Sequence, residues 1–146
     1  MLVDVTINLD FLDFSPGTAD PDSGACLPYD YVEEDAQRMA FHRRLAETTT
    51  VAAVRKLRGE LADRYGRLPR AAQRLVKLAE FRVLCAQAHI SRLDVKDGKA
   101  VFYREGSHDV AFVGRVSGTT PERKINSLLR MLEQHAASFD GKSRRQ

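Results

Sequence analysis

Residues 59–73, GELADRYGRLPRAAQ, decide how the middle of this chain folds. Gly66 stands where a helix is expected to end, because glycine reaches positive φ without a Cβ clash. Leu68 and Pro69 follow. Proline cannot continue a helix, since it lacks an N–H group, but it is favoured in the first turn of the next one. The stretch therefore predicts a helix end, a tight joint and a new helix.

Apolar residues recur at helical spacing on both sides of this joint. The preceding helix is expected to begin after the run Thr48–Thr50, which supplies an N-cap, and to end near Tyr65. The following helix, about Pro69 to Ala88, is apolar on two faces and is predicted to be the central helix. An earlier helix is predicted over Glu33–Glu47, with acidic residues in its first turn that complement the helix dipole.

Alternating apolar and polar residues predict strands before and after these helices. One strand is expected at residues 2–9. Two more, 90–95 and 100–104, flank Asp97-Gly98, which favours a two-residue hairpin turn. Another is expected at 108–115, with His108, Val110 and Phe112 on one face. The first strand has no partner beside it in sequence. Either it pairs with the later hairpin, or it is the remnant of an element from a larger parent protein.

Thr120 and Pro121 predict the start of a final helix, because threonine caps a helix and proline fits its first turn. The fold class is therefore α+β: a helical layer of three helices, then a small antiparallel sheet and a C-terminal helix. Residues 13–30 show no period and predict a long loop. We divide the chain into a strand with a linker or strap (1–32), a folded domain (33–138) and a disordered tail (139–146).

Charge is distributed unevenly along the 146 residues. The first 35 residues hold nine of the 20 acids and no lysine or arginine, so the remainder carries 11 acids against 23 bases, a formal net charge of +12. Two interpretations are open: this basic part attracts nucleic acid or an acidic protein surface, or it is a solvated helical surface partly neutralised by the acidic strap. In the first case the candidate phosphate contacts are Arg55, Arg58, Arg67, Arg70, Arg74 and Lys77.

The sequence offers no signature of catalysis, of a metal site or of a membrane segment. Residues 141–143, Gly-Lys-Ser, imitate the end of a phosphate-binding loop, but position 136 is alanine where the loop needs another glycine. The four histidines show no ligand spacing with one another or with Cys26 and Cys85, which are predicted to be free thiols. We expect a non-enzymatic cytoplasmic domain with no catalytic residue, metal ligand or cofactor.

Three motifs stand in order along the chain: residues 28–32 (PYDYV), 38–45 (RMAFHRRL) and 60–69 (ELADRYGRLP). Together they resemble the C-terminal domain of bacterial transcription-repair coupling factors, over about Pro28 to Val101. The sequence departs from that family after Tyr103, where the segment before the last helix is short.

The resemblance implies a regulatory role. Its parent would be an ATP- and magnesium-dependent translocase on duplex DNA that removes stalled RNA polymerase and recruits the excision-repair damage-recognition subunit. The motor motifs lie outside this chain. The C-terminal domain would pack on an N-terminal module that resembles the repair helicase subunit, hide the recruitment surface and restrain the motor.

The resemblance also implies that Glu60, Asp63 and Arg64 bind that N-terminal module. Helical geometry agrees, because residues at i, i+3 and i+4 share a face. Their charged groups could exchange charge-assisted hydrogen bonds with a complementary surface. The alternative is that Glu60 and Arg64 only pair with each other.

Overall fold

A computed structural model describes residues 4–14, 23–106 and 109–144, with the side chains of 136–144 left out. In these ranges the elements follow the order β1 (Thr6–Leu9), α1 (Asp35–Ala46), α2 (Val51–Tyr65), α3 (Arg70–Gln87), β2 (Ile90–Lys96), β3 (Lys99–Arg104), β4 (Val110–Arg115) and α4 (Pro121–Arg144). The α+β class is confirmed. The chain forms two compact units, a helical unit (Phe11–Val83) and a sheet unit (Met1–Asp10 with Leu84–Gln146).

Three helices and the segment before them share the core of the helical unit. Each helix buries the apolar stripe that its spacing predicts, and Leu27 and Val32 enter the same cluster from the strap. The helical members of the cluster are Phe41, Leu45, Val54, Leu57, Leu61, Ala72, Val76, Ala79 and Val83. Because α3 contributes four of these residues, it lies at the centre of the unit, as predicted.

The local signals at the ends of α1, α2 and α3 are confirmed to within two residues. The Thr50 hydroxyl accepts a hydrogen bond from the Ala53 N–H at 3.1 Å and caps α2. Gly66 ends α2 with φ +87°. Helix α1 begins at Asp35, two residues after the predicted start, and α3 begins at Arg70, because Pro69 provides the first accepting carbonyl.

The described part of the strap, residues 23–32, packs into the helical unit. Ala25, Cys26 and Leu27 are buried, and the Cys26 N–H donates to the Ala71 carbonyl at 3.2 Å. The backbone also forms an isolated bridge between Asp13 and Gly24. The strap therefore contributes to the core along this stretch, whereas the domain limits at residues 32 and 138 stay a prediction.

The sheet has the order β1-β2-β3-β4, with β1 parallel to β2 and the other pairs antiparallel. The first strand therefore pairs with the later hairpin, and the sheet is mixed where an antiparallel one was predicted. A parallel pair needs a long crossover, and the helical unit supplies it. Asp97 and Gly98 both have positive φ, as the predicted hairpin turn requires.

A β-bulge in the last strand corrects one expectation. Phe112 lies opposite Phe102, whereas Val110 lies opposite Tyr103, so the register shifts by one residue at Ala111. Val110 and Phe112 therefore occupy opposite faces of the sheet, where regular alternation predicted one face. His108, the third member of that predicted face, lies outside the described residues.

Helix α4 contributes buried residues to the sheet unit. Ile125, Leu128 and Leu132 are at most 3% exposed, and a Cβ placed on Gly114 of β4 would lie 2.7 Å from the Met131 Sδ. Thr120 caps the helix through the Arg123 N–H at 3.2 Å.

The same helix continues to Arg144, beyond the predicted start of the tail at residue 139. No proline interrupts residues 139–144, and the helix propensities of the other residues differ by at most about 1 kcal/mol each, so this stretch contains no strong signal that ends the helix.

No described helix combines the length and the apolar character that a membrane span requires.

Neither Cys26 nor Cys85 forms a disulfide, and both side chains are buried, at 1% and 0% exposure. Burial raises the pKa of Cys85 to about 12, which suppresses the reactive thiolate. We expect Ellman's reagent to label the native chain at least about a hundredfold more slowly than the urea-unfolded chain, because labelling requires opening of the fold. Rapid labelling of native protein that Cys26→Ser removes would contradict the burial of that thiol.

Candidate protein-interaction site

The three sequence motifs meet within the helical unit. The ring of Tyr65 lies 5.7 Å from that of Tyr31 and 6.1 Å from that of Phe41, centroid to centroid. The Tyr31 hydroxyl donates to the Gly66 carbonyl at 2.7 Å, and the Leu61 carbonyl oxygen lies 3.2 Å from the same hydroxyl. Since the rings come from the strap, α1 and α2, this aromatic cluster fixes the three segments relative to one another.

Arg38 has a structural role that the sequence pattern did not predict. It is 7% exposed, its guanidinium donates to the Val32 carbonyl at 2.8 Å and pairs with Asp35. The guanidinium also lies 4.2 Å from the centroid of the Tyr29 ring. The helical spacing of the sequence does indicate this burial, because position 38 shares a helix face with the buried residues Phe41 and, one turn further on, Leu45.

Glu60 is held by α1. The Arg44 guanidinium donates to both of its carboxylate oxygens, at 2.7 and 3.0 Å. The alternative that Glu60 pairs with Arg64 is therefore wrong, because the fold brings Arg44 from 16 residues earlier into a better bidentate geometry. The hydrogen bond from Arg44 lowers the pKa of Glu60, and the same bond raises the pKa of Arg44.

The remaining two residues of the predicted site face solvent. Asp63 and Arg64 are exposed. The Arg64 guanidinium lies 6.0 Å from the centroid of the Phe41 ring, at the outer limit of a cation–π contact. Within the described ranges Asp63 makes no ion pair. One face of the helical unit therefore presents Arg44, Glu60, Asp63 and Arg64, and we call it the α2 charged face.

The basic residues considered for phosphate contact do not form one exposed set. Arg74 is 2% exposed and donates to the Gly24 carbonyl at 3.0 Å, so its placement on an exposed basic face is wrong: it is an internal donor that holds the strap. Arg55 lies 3.4 Å from Glu80 of α3. Of the others, Lys77 is half-buried, and three are exposed: Arg58, Arg67 and Arg70.

Among the residues that the structure describes, no group of three or more histidine, cysteine, aspartate or glutamate side chains is arranged to hold a metal ion. His89 follows α3 with φ +58°, and its Nδ1 lies 3.0 Å from the Glu105 Oε2. Its side chain therefore contacts the residue that follows β3.

A family model described as the TRCF domain matches residues 22–113, which include all three motifs and the α2 charged face. The chain belongs to the TRCF domain family.

Curated relatives of this TRCF domain carry the name transcription-repair-coupling factor. The protein of Rickettsia typhi is 30% identical over 108 residues, which are 70% of this chain and 10% of that protein. The Haemophilus influenzae protein is 36% identical over 70 residues, 48% of this chain and 6% of that protein. The Escherichia coli protein is 29% identical over 83 residues, 56% and 7% respectively. The chain thus spans a tenth or less of the length of these relatives.

A solved structure, the crystal structure of the C-terminal domain of a transcription-repair coupling factor, shares the fold of the TRCF domain. The TM-score is 0.72 at 14% identity, and the match covers 94% of this chain and 96% of the other. The similarity therefore extends into α4, which lies beyond residue 113, where the family match ends.

The Arg44–Glu60 pair generates a prediction about pH. Because the folded state lowers the pKa of Glu60, its contribution to stability is present above the carboxyl's unfolded pKa and is lost as pH falls through the folded pKa. We expect wild type to unfold at higher urea than Glu60→Gln at neutral pH, with the difference disappearing once the pH is below the lowered pKa of Glu60 and shrinking in high salt.

Arg44→Met should reproduce the effect of Glu60→Gln, and the double variant should add nothing further. Arg43→Met, which removes the neighbouring exposed arginine of α1, is the matched control. A difference between wild type and Glu60→Gln that persists unchanged in acid, below the pKa of Glu60 in the folded state, would show that the ion pair does not cause it.

Proposed function

We propose that this TRCF domain is the non-catalytic, autoinhibitory domain of a transcription-repair coupling factor. It packs on the N-terminal, repair-helicase-like module of the same parent protein and masks the surface that recruits the excision-repair damage-recognition subunit. The parent is an ATP- and magnesium-dependent translocase on duplex DNA that acts on stalled RNA polymerase. Family membership and the names of the curated relatives support this parentage.

The observation that carries the proposal is the α2 charged face. Arg44 holds the Glu60 carboxylate in a fixed position, while Asp63 and Arg64 beside it are exposed. Folding accounts for Leu61, Tyr65 and Gly66 in the same stretch, but it makes no use of the Asp63 carboxylate. A partner can therefore bind a rigid, mixed-charge surface without first ordering it.

The exposed charges of the α2 charged face suit a reversible contact with the N-terminal module. Exposed ion pairs contribute little net free energy each and are screened by salt, and electrostatic complementarity determines partner choice and association rate more than affinity. An interface of such ion pairs keeps the domain bound to the N-terminal module in the resting protein. It dissociates when another ligand binds either of the two surfaces.

The proposal predicts that the isolated TRCF domain binds the purified N-terminal module in trans. Asp63→Lys combined with Arg64→Glu should weaken this binding by about tenfold or more, because two attractive contacts become repulsive. Titration calorimetry measures the affinity, and circular dichroism should show an unchanged fold because both residues are exposed.

The matched control is Glu33→Lys combined with Arg43→Glu, which likewise reverses one exposed acid and one exposed base outside the α2 charged face and leaves the net charge unchanged. Equal affinities of wild type and the Asp63/Arg64 variant would overturn the assignment of the surface.

Duplex DNA is the second partner to test, through a gel-shift titration across salt concentrations. The structure favours it less, because Arg74 is buried and Arg55 is paired. Binding that falls steeply with salt and is lost in Arg58→Glu/Arg70→Glu, alongside no binding of the N-terminal module, would replace the proposal with a DNA-binding role.

A further inference from the structure

The last strand, β4, forms one edge of the described sheet. The Val116 N–H donates to the Gly98 carbonyl at 2.8 Å, and residues of an antiparallel strand alternate between hydrogen bonds toward one neighbour and toward the other side. Val113 and Arg115 therefore direct their N–H and C=O groups away from β3. These groups are available to an additional strand.

Three cationic side chains, one each from β2, β3 and β4, lie in a row across the sheet and end at this edge. Lys96 lies opposite Lys99, and Lys99 lies opposite Arg115. All three are exposed, and none of them forms a salt bridge with a residue that the structure describes. Like charges directly opposite each other destabilise a sheet. Folding alone therefore gives this row no role, whereas a carboxylate placed beside it would relieve the repulsion.

An apolar surface adjoins the cations on the same face. Val113, two residues before Arg115, is 57% exposed and lies opposite Val101. Val110, which the bulge turns to this face, is 47% exposed. An approaching strand thus meets an apolar side chain and then a guanidinium, at the two positions whose backbone groups point outward.

We propose that the β4 edge binds an extended acidic peptide segment of a partner protein, which adds to the sheet as an antiparallel strand. Main-chain hydrogen bonds to Val113 and Arg115 supply affinity, and alternate side chains supply specificity. The peptide places an aspartate or glutamate opposite Arg115 and, two residues later, a valine or isoleucine opposite Val113. Its recognition pattern is therefore acid-x-apolar.

An acidic peptide fits these observations better than a nucleic acid does. Phosphates would use Lys96, Lys99 and Arg115, but they would leave the exposed Val113 side chain and the outward backbone groups without partners. A peptide uses the cations, the apolar side chain and the backbone together. The site is in the sheet unit and does not depend on the α2 charged face.

The test uses the full chain and a fluorescein-labelled, amidated peptide, Thr-Glu-Thr-Val-Thr-Glu-Thr. We expect saturable binding by fluorescence anisotropy at low salt and amide chemical-shift changes centred on Val113 and Arg115. Lys99→Glu combined with Arg115→Glu should weaken binding by about tenfold, and a peptide with lysines in place of its glutamates should restore it. The control, Lys56→Glu combined with Arg58→Glu in α2, changes the same net charge and should bind as wild type.

Val113→Pro provides an independent test through the backbone. It removes an outward N–H group without removing a hydrogen bond to β3, a position where edge strands tolerate proline, so peptide binding should be lost while the sheet remains. Absence of saturable binding, an equal loss in the Lys56/Arg58 control, or shift changes that omit β4 would overturn the proposal. Binding of a short single-stranded oligonucleotide, but not of the peptide, through the same cations would assign the surface to nucleic acid instead.

Discussion

The hydrogen bond from the Tyr31 hydroxyl to the Gly66 carbonyl joins the strap to the end of α2, and the geometry of the charged site depends on this joint. Gly66 ends α2 because it adopts φ +87°, and the hydroxyl binds the carbonyl of this terminal residue at 2.7 Å. The Tyr31 ring packs on Tyr65, which packs on Phe41. Each aromatic pair is worth about 0.5–1.5 kcal/mol beyond the area it buries. Strap, α1 and α2 therefore hold one another, and the position of Glu60 relative to Arg44 follows from that arrangement.

Several arginines of this basic chain donate hydrogen bonds to backbone carbonyls inside the fold and do not add to its exposed positive charge. Arg38 and Arg74 are buried and donate to the Val32 and Gly24 carbonyls. Arg82 donates to the Leu45 and Thr48 carbonyls at the end of α1, and burial lowers its pKa. Removing a guanidinium from water is costly unless such acceptors are present. The formal charge of the sequence therefore overstates the positive surface available to a polyanion.

Local signals predicted the helix starts and the hairpin turn, because the cause of each lies within a few residues, but they missed the end of α4 at Arg144. Thr50 and Gly66 act on the adjacent turn of backbone, and Asp97-Gly98 determines its own hairpin. The remaining features depend on residues far apart in sequence. The parallel partner of β1 lies more than 80 residues away, as the pairing of Thr6 with Arg92 shows.

The candidate site was predictable only in part for the same reason. Helical spacing places Glu60, Asp63 and Arg64 near one another, but the chemistry of Glu60 depends on Arg44, which another helix contributes. Glu60 and Asp63 look equivalent in the sequence, but the fold gives them different surroundings. The Glu60 carboxylate is fixed by Arg44, and the Asp63 carboxylate is exposed. A surface that contains both has a fixed element that defines geometry and an exposed charge that a partner can reach, and this division is what a reversible, salt-sensitive contact requires.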